Sequence, residues 1–170
     1  MYPEEITLLD ATFVYLSEAT ASPSRKPSTS LSSAQVDAIA SILERWPSSQ
    51  LFPVVDLSRL VVGFCPDVFS SQPELRDKLT ESLFKAVEWS ASWTPPLAKV
   101  RETNTLLLLR TLANVFGDVG KTDVDWLRRI LETLAQAPYK VLNKTQRVAL
   151  ATVLFKWVTH KYYGTTSLQY

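Results

Sequence analysis

Nucleophilic catalysis pairs a Cys or Ser with a base, most often His. This chain holds one cysteine and one histidine, Cys65 and His160. Cys65 lies between Phe64 and Pro66 at the end of an apolar stretch, the setting of a buried structural thiol. His160 precedes Lys161 and reads as solvated or partly packed, because one His without Cys partners cannot close a zinc site. Four glycines are too few, and too badly spaced, for a loop that cradles phosphates. Asp56, Asp123 and Asp125 read as helix caps and surface partners rather than as an acid–base pair. No catalytic constellation, metal set or cofactor motif emerges, so neither an enzyme nor a cofactor is expected.

Polar residues set into apolar segments suggest a different chemistry. Arg59 follows Asp56 by three residues inside VVDLSRLVVGF. Asn104, Arg110, Thr111 and Asn114 interrupt a segment with four consecutive leucines, and Asn143, Lys144 and Arg147 open the last periodic segment. An unpaired charge is costly to bury. Arg110 therefore either pairs internally or faces a solvent groove, and Arg59 either closes an ion pair with Asp56 or joins that groove. Asn offers both a donor and an acceptor to a peptide main chain, and Arg grips carboxylates through paired N–H groups. Together they suit an extended, acidic peptide.

The elements that must position these residues all read as helices. Residues 3–20 form the first, with Ile6, Leu9, Phe13 and Leu16 on one stripe. The Ser/Thr/Pro-rich segment 19–33 reads as a flexible linker. Ser32 or Ser33 caps a helix to Trp46, carrying Val36, Ile39, Ile42 and Leu43. Pro53 starts the next, with Val54, Leu57, Leu60, Val61 and Phe64 inward. Gln72 to Trp89 follows, and then a rigid Pro95–Pro96 loop in which Trp93 is the tryptophan expected to be exposed. Arg101 to Phe116 is apolar enough to be covered on most sides. Thr122 or Asp123 caps a helix to Ala137 with Val124, Leu127, Ile130, Leu131 and Leu134 inward. Asn143 or Thr145 begins the last helix, to about Tyr162, and residues 164–170 form a frayed tail.

The bounds agree with an all-α domain. Hydrophobic content of 46% and charged content of 21% are those of a globular chain. A net charge of +1 gives no global pull toward nucleic acid or anionic membrane, and neither is an expected partner. A single Cys suits a reducing compartment, and no run reaches the length of a bilayer span, so the cytoplasm or nucleus is expected. Asn104 and Phe116 recur as Asn143 and Phe155 at a shift of 39 residues, close to the 40–47-residue period of HEAT and armadillo arrays. In such an array one row of helices lines a groove, and an unpartnered end exposes apolar side chains. Phe155, Trp157, Val158, Tyr162 and Tyr163 are the group expected there, which would favour self-association through the C-terminal end.

Three ordered blocks carry a family resemblance. WPSSQLFPVVDLSRLVV, from Trp46, resembles the opening of the PUL domain, the C-terminal module of the phospholipase-activating and ubiquitin-fusion-degradation adaptor family. NTLLLLRTLANVFG, Asn104 to Gly117, resembles that family's second conserved segment, and VALAT, Val148 to Thr152, a later helix. The resemblance covers roughly 32–160, and the family domain is longer, so its last helices are expected to fall outside this chain. It implies an armadillo-like array over 32–163, preceded by an N-terminal helix and linker over 1–31. It further implies a basic groove for the acidic C-terminal tail of a hexameric AAA ATPase segregase, the valosin-containing protein, in the ubiquitin–proteasome pathway. By motif position Arg59 and Arg110 are the foremost groove residues, with Asn104, Asn114 and Arg147 beside them. Phe52 or Trp46 would border a pocket for an aromatic residue of the tail. The competing expectation is a helical array that packs on another domain, as in thioredoxin- or peptidase-linked relatives, and binds no tail.

Overall fold

A computed structural model describes residues 2–21, 31–65, 72–89, 93–94, 97–116, 123–136 and 139–163. Seven α-helices and no strand occur among them: α1 (Pro3–Ala21), α2 (Ser33–Arg45), α3 (Phe52–Phe64), α4 (Pro73–Ala86), α5 (Lys99–Val115), α6 (Val124–Ala135) and α7 (Lys144–Tyr163). Short 3-10 turns at Ser48–Gln50 and Tyr139–Val141 lead into α3 and α7. The expected linker across 22–30, the Pro95–Pro96 and Gly117–Gly120 turns, Pro138 and the tail 164–170 lie outside the described residues.

Local chemistry sets the helix starts. Ser32 and Gln35 form a reciprocal capping box at α2. Asn143 and Gln146 do the same at α7: the Gln146 amide N–H donates to Asn143 Oδ1 at 3.0 Å, and the Asn143 N–H to Gln146 Oε1 at 2.8 Å. Asp123 accepts from the Asp125 and Trp126 amides at α6. Pro53 and Pro73 occupy the first turns of α3 and α4, where no intrahelical N–H is needed.

Hydrogen bonds and ion pairs between helices fix two parallel rows. In the first, Asp37 and Glu44 of α2 meet Lys78 and Ser82 of α4. Asp77 of α4 then meets Arg129 of α6, and Trp89, just past α4, donates to the Thr133 carbonyl. In the second, Asn104 and Asn114 of α5 reach back to the Ser48 and Arg59 carbonyls, so α5 runs with α3. Gln146 and Lys156 of α7 reach the Glu102 and Ala113 carbonyls, so α7 runs with α5. α1 opposes α2 through Gln35–Thr12 and Arg45–Glu5. Near its end Tyr15 hydrogen-bonds Cys65, just past the end of α3, so α1 begins the second row. The result is a two-layered helical array.

One core cluster runs from Tyr15 to Val153, with Ile39, Ile42, Val55, Leu108 and Leu109 fully buried. Placing α5 between α3 and α7 explains why its leucine run is covered: Leu107, Leu108 and Leu109 are buried and Leu106 is half-buried. Several sequence expectations are corrected. Ile6 and Phe13 are exposed, because α1 turns Thr12, Tyr15, Leu16 and Ala19 toward α2 and α3. Phe64 and Val124, each at a helix end, are exposed too. Trp93 is 6% exposed. Its indole N–H donates to the Glu88 carbonyl at 2.7 Å, and its ring meets Trp89 edge-on at 5.0 Å. Glu88 makes this possible by taking a left-handed conformation, φ 52°, that turns the chain sharply after α4. The shift of 39 residues does not relate equivalent positions: Asn104 and Phe116 are buried, whereas Asn143 and Phe155 are exposed. Across the second row the bonded positions lie 43 to 56 residues apart.

Candidate functional site: the exposed face of the second helical row

On α3, the residues Phe52, Asp56, Arg59 and Gly63 share one stripe, and all are exposed or half-buried. Arg59 donates from Nε to Asp56 Oδ1 at 2.7 Å, closing the intrahelical pair that the spacing allowed. Both side chains remain about one-third accessible, at 30% and 33%. The cation is therefore engaged but not withdrawn from solvent.

Arg110 is exposed on α5 and has no carboxylate or hydrogen-bond partner among the described residues. It lies one turn before Asn114 on the same stripe. Asn114 donates from Nδ2 to the Arg59 carbonyl at 3.2 Å. Because α3 and α5 run together, Arg110 is level with the Asp56–Arg59 turn. Gly63 permits this close approach: a Cβ there would sit 3.0 Å from Asn114 Nδ2.

Lys156 extends the same level onto α7. Its ammonium donates to the Ala113 carbonyl at 2.8 Å, near the negative end of α5, and the side chain is half-buried. Sequence reading missed it. The signal that could have found it is the repeat distance: Lys156 follows Arg110 by 46 residues, within the spacing that links neighbouring helices of this row.

Two expected site residues sit elsewhere. Asn104 is 1% exposed, and its Nδ2 donates to the Ser48 carbonyl at 3.4 Å, so it braces α5 against the turn before α3 instead of facing solvent. Arg147 is half-buried at the start of α7, its guanidinium 5.4 Å from the centre of the Tyr139 ring. Gln146 beside it is bonded to Glu102, so Arg147 is level with the first turns of α5. That is about two helical turns, roughly 10 Å, below Arg110. Arg59 and Arg110 are thus brought together with Asn114, while Asn104 and Arg147 are not. Phe52, on the Arg59 stripe, is exposed, and Trp46 is half-buried against the core.

The remaining candidate chemistry is structural. Cys65 is buried, and burial pushes its thiol up, with the Tyr15 hydrogen bond pulling it partly back. A raised thiol is a poor nucleophile. The His160 side chain lies outside the described residues. No group of His, Cys, Asp and Glu able to hold a metal occurs among the described residues, and none of their helices is long and apolar enough to cross a membrane. Arg76, which sequence reading passed over, is 3% exposed. It lies 4.4 Å from the centre of the Trp126 ring and bonds Asp77 at 3.1 Å, with Asp123 at 3.6 Å.

Parallel helices in two layers, with an exposed polar stripe on one of them, define a helical array. The PUL domain family model matches residues 1–161, and the chain belongs to that family. PUL domains are armadillo-like, non-catalytic modules, and the family is one of adaptors for the valosin-containing segregase. No curated protein and no solved structure matches the chain.

Proposed function

We propose that this chain binds the acidic C-terminal tail of the segregase along the exposed face of α3, α5 and α7, as an adaptor in ubiquitin-dependent degradation. The observation that carries this reading is Arg110, a solvent-facing cation that follows the four-leucine run of α5, without a carboxylate of its own among the described residues. An unneutralised guanidinium beside a second, partly accessible one is a ready receptor for paired carboxylates. Lys156 adds a cation at the same level, and Arg147 would meet a tail that extends toward the helix N-termini. Asn114 holds the two arginine-bearing helices in register, and Phe52 offers an apolar contact for an aromatic residue of the tail. The array over 32–163 is the binding unit, with α1 packed on its end, and the cytoplasm or nucleus is its setting.

Titration of a fluorescent acidic tail peptide tests the reading. Arg110→Ala is expected to weaken binding about tenfold or more, and Arg59→Ala somewhat less, because Asp56 already occupies it. Raising the salt should weaken binding to the unsubstituted chain. Affinity unchanged by both substitutions would exclude this face.

A further inference from the structure

Neighbouring helices of the two rows do not all pack alike. α2 lies close against α4, α3 against α5 and α5 against α7, whereas α6 meets α4 chiefly through side chains. Arg76 stacks on Trp126, Arg129 bonds Asp77 at 3.0 Å, and the Trp89 indole N–H donates to the Thr133 carbonyl at 2.9 Å. Among these bridges a cleft of about 190 Å³ opens between the two helices. Asp77, Glu81 and Phe84 of α4 form one wall, and Trp126, Arg129 and Ile130 of α6 the other. Each set falls on one helical stripe, and Asp77 to Phe84 spans two turns, roughly 10 Å. The cleft lies inside the first row, between two helices that are already neighbours, and away from the α3, α5 and α7 face.

Two polar groups of this cleft are unanswered. Glu81 is exposed and has no ion-pair or hydrogen-bond partner among the described residues, since Lys78 is engaged by Asp37 and Arg129 by Asp77. Trp126 is 2% exposed, yet its indole N–H has no acceptor among the described residues. Between them lie apolar surfaces, the buried Ile130 and the half-buried Phe84. We propose that the cleft receives a cationic side chain, arginine or lysine, from a basic, extended segment of a partner protein. Its charged head bonds Glu81, and its methylene stem lies on Phe84 and Ile130. A main-chain carbonyl of the same segment accepts from Trp126 Nε1. The volume falls below the roughly 300 Å³ at which pockets for whole small molecules begin, so it suits a side chain. Asp77 is a second carboxylate in the cleft, held by Arg76 and Arg129. An anionic ligand would therefore meet two carboxylates and a single cation, Arg129, that is already engaged. None of this rests on tail binding at Arg59 and Arg110.

Titration of the isotope-labelled chain with a short capped peptide, one arginine among alanines and serines, tests the proposal, with the Trp126 indole N–H resonance as the readout. That resonance should move by about 1 mM peptide, the weak end of specific affinity. The same peptide with glutamate in place of arginine should leave it where it is. Glu81→Gln, at an exposed position, should weaken binding of the arginine peptide about fivefold or more. Arg129→Gln, which releases Asp77 into the cleft, should strengthen it about two- to threefold. Far-UV circular dichroism confirms that both variants are folded. The affinity for an acidic tail peptide should be the same in Glu81→Gln as in the unsubstituted chain, so the two sites succeed or fail separately. A Trp126 indole resonance that stays in place would overturn the proposal. So would an affinity that Glu81→Gln leaves unchanged, or a glutamate peptide that binds as well as the arginine one.

Discussion

Asp56 competes with any carboxylate ligand for Arg59, since the two are already bonded at 2.7 Å on a partly exposed helix face. Exposed pairs of this kind contribute about 0.2–1 kcal/mol. Asp56→Asn should therefore tighten tail binding by about two- to fivefold, measured by the same peptide titration, and weakened binding would mean that Asp56 orients Arg59 instead of competing for it. The two kinds of arginine pair in this chain should differ in their weight on stability. Arg76 stacks on Trp126 out of solvent, whereas Arg128 and Asp125 pair with side chains 67% and 78% accessible. Arg76→Ala should cost about 2–3 kcal/mol in urea unfolding, through lost packing and cation–π contact. Arg128→Ala should cost about 0.5 kcal/mol or less. Two carboxylates tie stability to pH. The Trp126 amide, then the Asp125 amide with Arg76 and Arg129, holds Asp123 below the ordinary aspartate range. Burial alone would raise Glu5, but the Tyr2 amide and Arg45 outweigh it and hold Glu5 below the usual range. A lowered folded value means stability that is complete above the unfolded carboxylate range and is lost as pH falls through the folded values. Melting temperature should therefore drop on acidification below about pH 4–4.5, and Asp123→Asn should flatten that limb while lowering the plateau at neutral pH.

At the scale of elements, the contact of α3 with α5 is set by one glycine and one amide. Gly→Ala in a helix ordinarily stabilises by about 0.5–1 kcal/mol. At Gly63 the new methyl would press on Asn114 Nδ2 at 3.0 Å and disturb its bond to the Arg59 carbonyl. Gly63→Ala should then gain less than that amount, and should recover it in an Asn114→Ala background. Equal effects in both backgrounds would show that the two positions are uncoupled. Helix positions were legible in the sequence because caps and proline starts act locally: Ser32, Pro53, Pro73, Asp123 and Asn143 each mark a start within a residue or so. Which face each helix turns inward was less legible. Ile6 and Phe13 match an amphipathic stripe, yet α1 buries Thr12 and Tyr15, because the position of α2 and α3 decides the buried face. The layout of the candidate face was half legible for the same reason. Arg59 and Arg110 could be singled out as charges in apolar helices, but Asn104 and Asn114 look alike in sequence. Only the packing of α5 buries the first and places the second at the edge of the exposed stripe.

For the whole molecule, a row in which α7 packs chiefly on α5 implies uneven stability. Hydrogen exchange should find α7 amides less protected than those of α3 and α5, whose Val55, Leu108 and Leu109 lie at the centre of the core. Uniform protection across the three would mean that the array unfolds as one unit. The central claim is that the exposed face of α3, α5 and α7 receives an acidic tail, and amide chemical-shift mapping of the labelled chain with that peptide tests it most directly. The account predicts shifts concentrated over Asp56–Gly63, Arg110–Asn114 and the turn around Lys156, which Arg110→Ala moves to about tenfold higher peptide concentration. Shifts confined to α2, α4 and α6, or none at peptide concentrations that saturate binding, would contradict it.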